Sequence, residues 1–215
     1  MIYYKYELII YENTNFIKQG GMRMNKKTLA LTEESYQLII KTIKEGFTTK
    51  DGIEVKPNNR IATALVLEAN LGLRISDILK LRITDIIKDG DRYRLDIIEQ
   101  KTGKAREFTV PVEIYNYILD YALENKINKR AKLFDITERA VQKHLKITCE
   151  YLGLERIGTH SFRKYFATEI YKHNNYNIEL VRTLLQHTSA ATTQRYIGIQ
   201  PKQVEDALAK HIKLL

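Results

Sequence analysis

The chain has 215 residues, is 44% hydrophobic and carries a formal net charge of +9. That length and apolar content suit one compact domain, and the charge suits a polyanionic partner, nucleic acid before acidic membrane. Charges interrupt every apolar run, which excludes a membrane-spanning helix. The single cysteine, Cys149, excludes a disulfide framework or a zinc site and fits a reducing cytoplasm.

Residues 1–30 read as an N-terminal leader, either a short strand over Ile2 to Tyr11 or a disordered segment, with Met22 and Met24 as alternative starts. Lys5, Glu7 and Glu12 break its apolar run, so it is not a signal peptide. Residues 31–215 are expected to form one domain, with no separate N-terminal DNA-gripping domain before it. Thr32 is a good N-cap, and Tyr36, Ile39, Ile40 and Ile43 predict a helix to about Glu45. Phe47 to Pro57 reads as a linker-like turn region. Asn59 to Leu71 is apolar on nearly every face and predicts a buried central helix, ended by Gly72. Ser76 is placed to cap a second, short helix with Asp77 in its first turn.

Asp89-Gly90 predicts a turn. Tyr93, Leu95 and Ile97 alternate as one strand, and Arg106, Phe108 and Val110 alternate with Glu107 and Thr109 as its partner. Between them Lys101-Thr-Gly103-Lys104 forms a hairpin tip that projects two lysines. Helices follow over Val112 to Glu124 and Thr137 to Leu152, the latter ended by Gly153 and keeping Val141, Leu145 and Ile147 inward. Cys149 falls within that helix as a core residue. Further helices are predicted through His160 and Arg163, over Ile178 to Leu185, and over Lys202 to Leu215. The fold class is therefore mostly α with a small antiparallel sheet.

The stretch from Gly158 to Gly198 carries the chemistry. His160 and Arg163 share one side of a helix whose apolar stripe is Phe162, Phe166 and Ile170, with Arg163 at its margin. A cation there is costly to bury unless an anion meets it. His187 closes the apolar run of Val181, Leu184 and Leu185, and Tyr196 follows. Arg74 and Arg163 can each fork onto phosphate oxygens. His160 and His187 can donate hydrogen bonds or exchange protons. Tyr196 can attack a phosphodiester, although roughly one phenol in a thousand is ionised at neutral pH. Lys101, or Lys104 if the hairpin register differs, can protonate a leaving oxygen. Lys104 and Arg106 are further candidate DNA contacts. The aspartates show no metal-ligand spacing with the histidines, and no P-loop is present. His144, His173 and His211 match none of these blocks and read as surface or structural residues.

Singly these residues mean little; their order and separations carry the signal. Gly72-Leu-Arg74-Ile-Ser-Asp77, the Lys101 hairpin, His160-Ser-Phe-Arg163, and Leu184-Leu-Gln-His187 with Thr192-Thr-Gln-Arg-Tyr196 together resemble the catalytic domain of the tyrosine recombinases, the phage-integrase family, whose fold the type IB topoisomerases share. The resemblance implies that Arg74, His160, Arg163 and His187 clamp a scissile phosphate, that Lys101 is the general acid, and that Tyr196 is the nucleophile forming a 3′-phosphotyrosyl link. It implies that Asp77 supports the first arginine and that no metal or nucleotide cofactor is needed. Double-stranded DNA is the implied partner, with four protomers on DNA, a monomer when free, and accessory DNA-bending or directionality factors. Gln186 stands where the family often has glycine. The competing expectation is a recombinase-fold DNA-binding protein with a regulatory role and no cutting activity.

Overall fold

The computed structural model describes residues 28–197. The leader, the helix expected over Lys202 to Leu215 and His211 lie outside the described residues. Thr32 opens the first helix, α1 (Glu33–Glu45), by accepting the Ser35 N–H on its hydroxyl. The stretch read as a linker instead pairs β1 (Phe47–Thr48) with β2 (Glu54–Val55) in a small antiparallel hairpin. Its strands are too short for an alternation signal.

Next comes α2 (Asn59–Leu71), capped by the Asn58 side chain and stopped by Gly72 in the left-handed region at φ 59°. It is buried on most faces, as its composition predicts, and packs chiefly on α1 and on the later helix α6 (Thr159–His173). The chain then turns sharply into the four-residue α3 (Ile75–Ile78). Here the structure corrects the sequence reading. Arg74, not Ser76, occupies the N-cap position, and no side chain caps the helix.

A 3-10 turn (Ile83–Asp85) leads into an antiparallel sheet of β3 (Ile86–Asp89), β4 (Arg92–Ile98) and β5 (Ala105–Val110). The expected hairpin is present: Tyr93 pairs with Val110 and Ile98 with Ala105, and Gly103 takes φ 66° at its tip. The edge strand β3 is the addition. Helix α4 (Val112–Glu124) follows, then α5 (Glu138–Tyr151), capped by Thr137, with Cys149 buried. Two short helices, α7 (Ile178–Leu185) and α8 (Ala190–Ile197), complete the described chain.

Two apolar clusters result. The main core joins α1 to α5 and the first half of α6, through Leu65, Leu71, Ile78, Leu95, Leu145 and Phe162 among others. A smaller one holds Ala167, Val181, Leu185 and Ile197, with Phe166, Ile170 and Tyr196 packed against it. Helix α6 spans both.

Gly72 stands where they meet. A Cβ there would fall 2.3 Å from Phe166 Cδ1, and the φ is one that side chains disfavour. Gly72→Ala should therefore lower stability by roughly 2–4 kcal/mol, the sum of left-handed strain and overpacking. Urea unfolding of the two proteins checks this.

Candidate active site

Arg163 is 2% exposed. The sequence placed it at the margin of the apolar stripe, but the structure puts it inside. Its Nη1 donates to the Gly72 carbonyl at 2.5 Å and its Nη2 to the Leu185 carbonyl at 3.1 Å. Both carbonyls lie at helix C-terminal ends, where the backbone is partly negative. Among the described residues Arg163 makes no ion pair with a carboxylate. Burial lowers its pKa, the Tyr196 phenol opposes that, and Arg74 adds to it.

Arg74 leaves the backbone two residues after Gly72, whose carbonyl Arg163 holds, and the two guanidinium groups are close enough for the Arg74 charge to act on Arg163. Arg74 Nη1 donates to Glu99 Oε2 at 2.6 Å. Glu99, 1% exposed, also accepts from Thr102 Oγ1 at 2.9 Å and from Arg106 Nη1 at 3.2 Å. Burial alone would raise the Glu99 pKa; the bonds from Arg74 and Thr102 and the charges of Arg74 and Arg106 outweigh it and hold the carboxyl below its ordinary value. Arg106 is itself 1% exposed, and burial, with help from Arg163, brings its pKa down to about 10 against the opposing charge of Glu99. The expectation of Arg106 as a surface DNA contact is therefore corrected. It faces inward beside Phe108, with its guanidinium 5.2 Å from that ring.

Asp77 meets Arg74 through the backbone alone, its N–H donating to the Arg74 carbonyl at 2.9 Å; its carboxylate does not hold the guanidinium. Its Oδ1 accepts the Gln100 N–H at 2.9 Å, which ties the hairpin to α3. The carboxylate in contact with Arg74 is Glu99, which the sequence analysis did not single out. Lys101 and Lys104 are exposed on the hairpin, as expected. The Lys101 charge acts on His160. Among the contacts described, Lys104 bonds through its backbone alone: its N–H donates to Thr102 Oγ1 at 3.3 Å and its carbonyl accepts from the Glu99 N–H at 2.9 Å.

His160 sits at the exposed rim of α6. Partial burial and then the cations Arg163, Lys101 and Arg74 lower its pKa. His187 is held more firmly. Its Nδ1 is 3.1 Å from Thr193 Oγ1, and Thr193 is fully buried and also bonds the Ser189 carbonyl at 3.4 Å. Burial, reinforced by Arg163 and Arg74, lowers the His187 pKa to about 4.

Tyr196 stands edge-on to His187, with ring centroids 5.1 Å apart, and Lys164 Nζ lies 5.6 Å from its ring centre. Burial pushes its pKa up to about 12, and the Arg163 guanidinium only partly offsets that. The phenol is neutral at physiological pH. Beneath the site, Glu68 of α2 is fully buried and neither carboxyl oxygen makes a well-formed hydrogen bond. Burial raises its pKa well above the ordinary range, with the Arg163 charge and the Ile75 N–H offsetting part of that.

Arg74, Lys101, His160, Arg163, His187 and Tyr196 thus act on one another electrostatically and form one basic site. A separate cleft of about 390 Å³, bordered by Asp77, Lys80, Arg82, Asp85, Asp96 and Ile98, contains none of those six. Gln186 adopts a left-handed φ of 53°, and its Nε2 donates to the Ala105 carbonyl at 2.8 Å. It joins the segment before His187 to the strand that follows the Lys101 loop.

Comparison with known proteins agrees. Residues 19–203 match the model of the phage integrase family. A probable integrase/recombinase of Bacillus subtilis, YoeC, is 33% identical over 150 residues, covering 66% of this chain and 79% of its own. The tyrosine recombinase XerA of Pyrococcus furiosus is 29% identical over 198 residues, covering 84% of this chain and 68% of its own. Among solved structures, the XerH site-specific recombinase on its difH substrate superposes with a TM-score of 0.65 at 21% identity, over 90% of this chain and 56% of that one. The catalytic domain of bacteriophage HP1 integrase gives 0.59 at 18% identity, over 86% of this chain and 96% of that one. The chain belongs to the phage integrase family, with the catalytic-domain fold of the tyrosine-type site-specific recombinases.

The electrostatics have a measurable consequence. His187 titrates near 6.5 when unfolded and at about 4 when folded. Between those values the unfolded chain binds a proton that the folded protein refuses. The stability this group contributes is present above pH 6.5 and is lost as pH falls toward 4. Urea unfolding at pH 7 and pH 5 should show a smaller acid-induced loss in His187→Gln than in wild type, and proton NMR should show the wild-type ring neutral at pH 5.5.

Proposed function

We propose that this protein breaks and rejoins strands of double-stranded DNA at specific sites through a covalent link between Tyr196 and a 3′ phosphate. The observation that supports this reading is the meeting of a buried Arg163, which has no carboxylate partner among the described residues, with a neutral phenol and two neutral imidazoles. A cation kept from its counter-ion in a protein interior calls for an external anion, and the scissile phosphate supplies one. Arg163 and Arg74 take the non-bridging oxygens and stabilise the added charge of the pentacoordinate transition state.

The phenol must lose its proton as it attacks, because its pKa of about 12 leaves almost none ionised beforehand. The Thr193 hydroxyl donates to Ser189, so it accepts from His187 Nδ1–H, an assignment that rests on the bonding pattern. Nε2 of His187 is then unprotonated and serves as proton acceptor. His160, at the rim, donates to the phosphate. In the forward step the Tyr196 oxygen bonds to phosphorus and the bond to the 5′ oxygen breaks. The phenolic proton goes to His187, and Lys101 gives a proton to the departing 5′ oxygen. Attack by a 5′ hydroxyl of another strand reverses each transfer and reseals the backbone. Exchange between two duplexes uses four such sites, so a tetramer on DNA follows from the chemistry. The phosphodiester energy stays in the phosphotyrosyl bond, and no cofactor enters the cycle.

A nicked suicide duplex in chelator-containing buffer tests this. Wild type should trap a covalent adduct, and Tyr196→Phe should trap none. Lys101→Ala should slow adduct formation about 10²–10³-fold, the usual loss for one transition-state donor. The slowing should largely vanish when sulfur replaces the 5′ bridging oxygen, since a thiolate leaves without a proton. An adduct that persists in Tyr196→Phe would assign the nucleophile elsewhere.

A further inference from the structure

Glu99 is the hub of the site, although no part of the recognisable motif pointed to it. Its carboxylate takes three donors from three separate pieces of chain: Arg74 at the start of α3, Thr102 in the lysine loop and Arg106 in β5. One oxygen, Oε2, serves both Arg74 and Thr102, at 2.6 and 2.9 Å. Thr102 is the neighbour of Lys101. The position of the phosphate-gripping guanidinium and the position of the proton-donating loop are therefore fixed by the same atom.

The charges favour the same conclusion. Arg106 is as deeply buried as Glu99, and it holds the second oxygen at 3.2 Å. Without that second cation, a single Arg74–Glu99 pair would be neutral, and Arg74 would meet a phosphate with its charge already spent. With it, two guanidinium groups share one carboxylate and a net positive charge remains. Arg74 stays partly open, at 18% side-chain exposure against 1% for Glu99, so its remaining N–H groups face the place where the anion must arrive. A carboxylate so loaded with donors holds the planar fork in one orientation.

We infer that Glu99 is a positioning residue for strand cleavage: backed by Arg106, it orients Arg74 and, through Thr102, sets the Lys101 loop in register with it. This rests on the recombinase reading above and adds to it a residue that touches neither the phosphate nor the reacting atoms. Its effect belongs to the rate of cleavage, not to DNA affinity.

The test uses the full chain, the suicide duplex and single-turnover adduct formation, with duplex affinity and thermal melting measured in parallel. Glu99→Gln should bind duplex within about threefold of wild type and form adduct about 30- to 100-fold more slowly, with Glu99→Asp recovering part of the rate. Combined with Arg74→Lys, Glu99→Gln should cost almost nothing further, because residues acting through one contact are not additive. Thr102→Val, which removes only the loop tie, should slow cleavage about 3- to 10-fold with unchanged melting. Should Glu99→Gln fail to fold, Thr102→Val decides. A folded Glu99→Gln that cleaves at the wild-type rate, a Thr102→Val without effect, or losses that multiply with Arg74→Lys would overturn the inference while leaving the recombinase reading in place. Wild-type protein that forms no Tyr196 adduct would overturn both.

Discussion

The structure depends on a guanidinium that is buried but not neutralised. Arg163 lies in the interior, yet its bonds run to the carbonyls of Gly72 and Leu185. A full ion pair would satisfy it and silence it. Two helix C-terminal ends offer only partial negative charge, enough to hold the group in place and too little to cancel it. Of the two buried carboxylates whose charge reaches Arg163, Glu99 is taken up by Arg74 and Arg106, and Glu68 is pushed by its burial toward the neutral form. The fold thus keeps a positive charge in a medium of low polarity, where it acts on whatever anion reaches it far more strongly than a surface arginine would.

Burial sets the state of its neighbours, and that charge reinforces it at the imidazoles. His187 and His160 are held neutral, and Tyr196 is held protonated by burial despite the cation beside it. The resting site therefore carries no reactive phenolate. The three arginines differ in depth and in pairing. Arg106 is fully enclosed and paired with Glu99, Arg74 is paired but partly open, and Arg163 is enclosed and free of any carboxylate among the described residues.

Much of this was legible in the chain. The bounds of α2, α4 and α7 match the apolar patterns residue for residue, because each is framed by a strong stop or start: Asn58 and Gly72, Pro111, Asn177. The six candidate active-site residues were found as a set through their order, and the fold brings them to one site. What escaped was any charged residue whose burial depends on a distant partner. Glu99 follows the last residue of β4 and reads as a solvent-facing carboxylate until Arg74, 25 positions away, is seen to reach it. Glu68 reads as the polar face of an otherwise apolar helix. Arg106 is different, because the signal was present. The alternation that defines β5 puts Arg106 on the face of Phe108 and Val110, the buried one, and the general expectation that arginines face solvent hid it. Asp77 drew attention by its place in the motif, but its geometry ties down the hairpin backbone instead of the arginine.

The position of the site follows from the two cores. Phe162 belongs to the main one and Ala167 to the smaller, and Arg163 lies on the same helix between them. Its two carbonyl partners are divided likewise: Gly72 ends the central helix of the main core, and Leu185 ends a helix of the smaller one. Tyr196 packs against the smaller cluster. Arg163, bonded to one carbonyl from each, is the fastener between the two cores, and it sets how they face each other around the basic site.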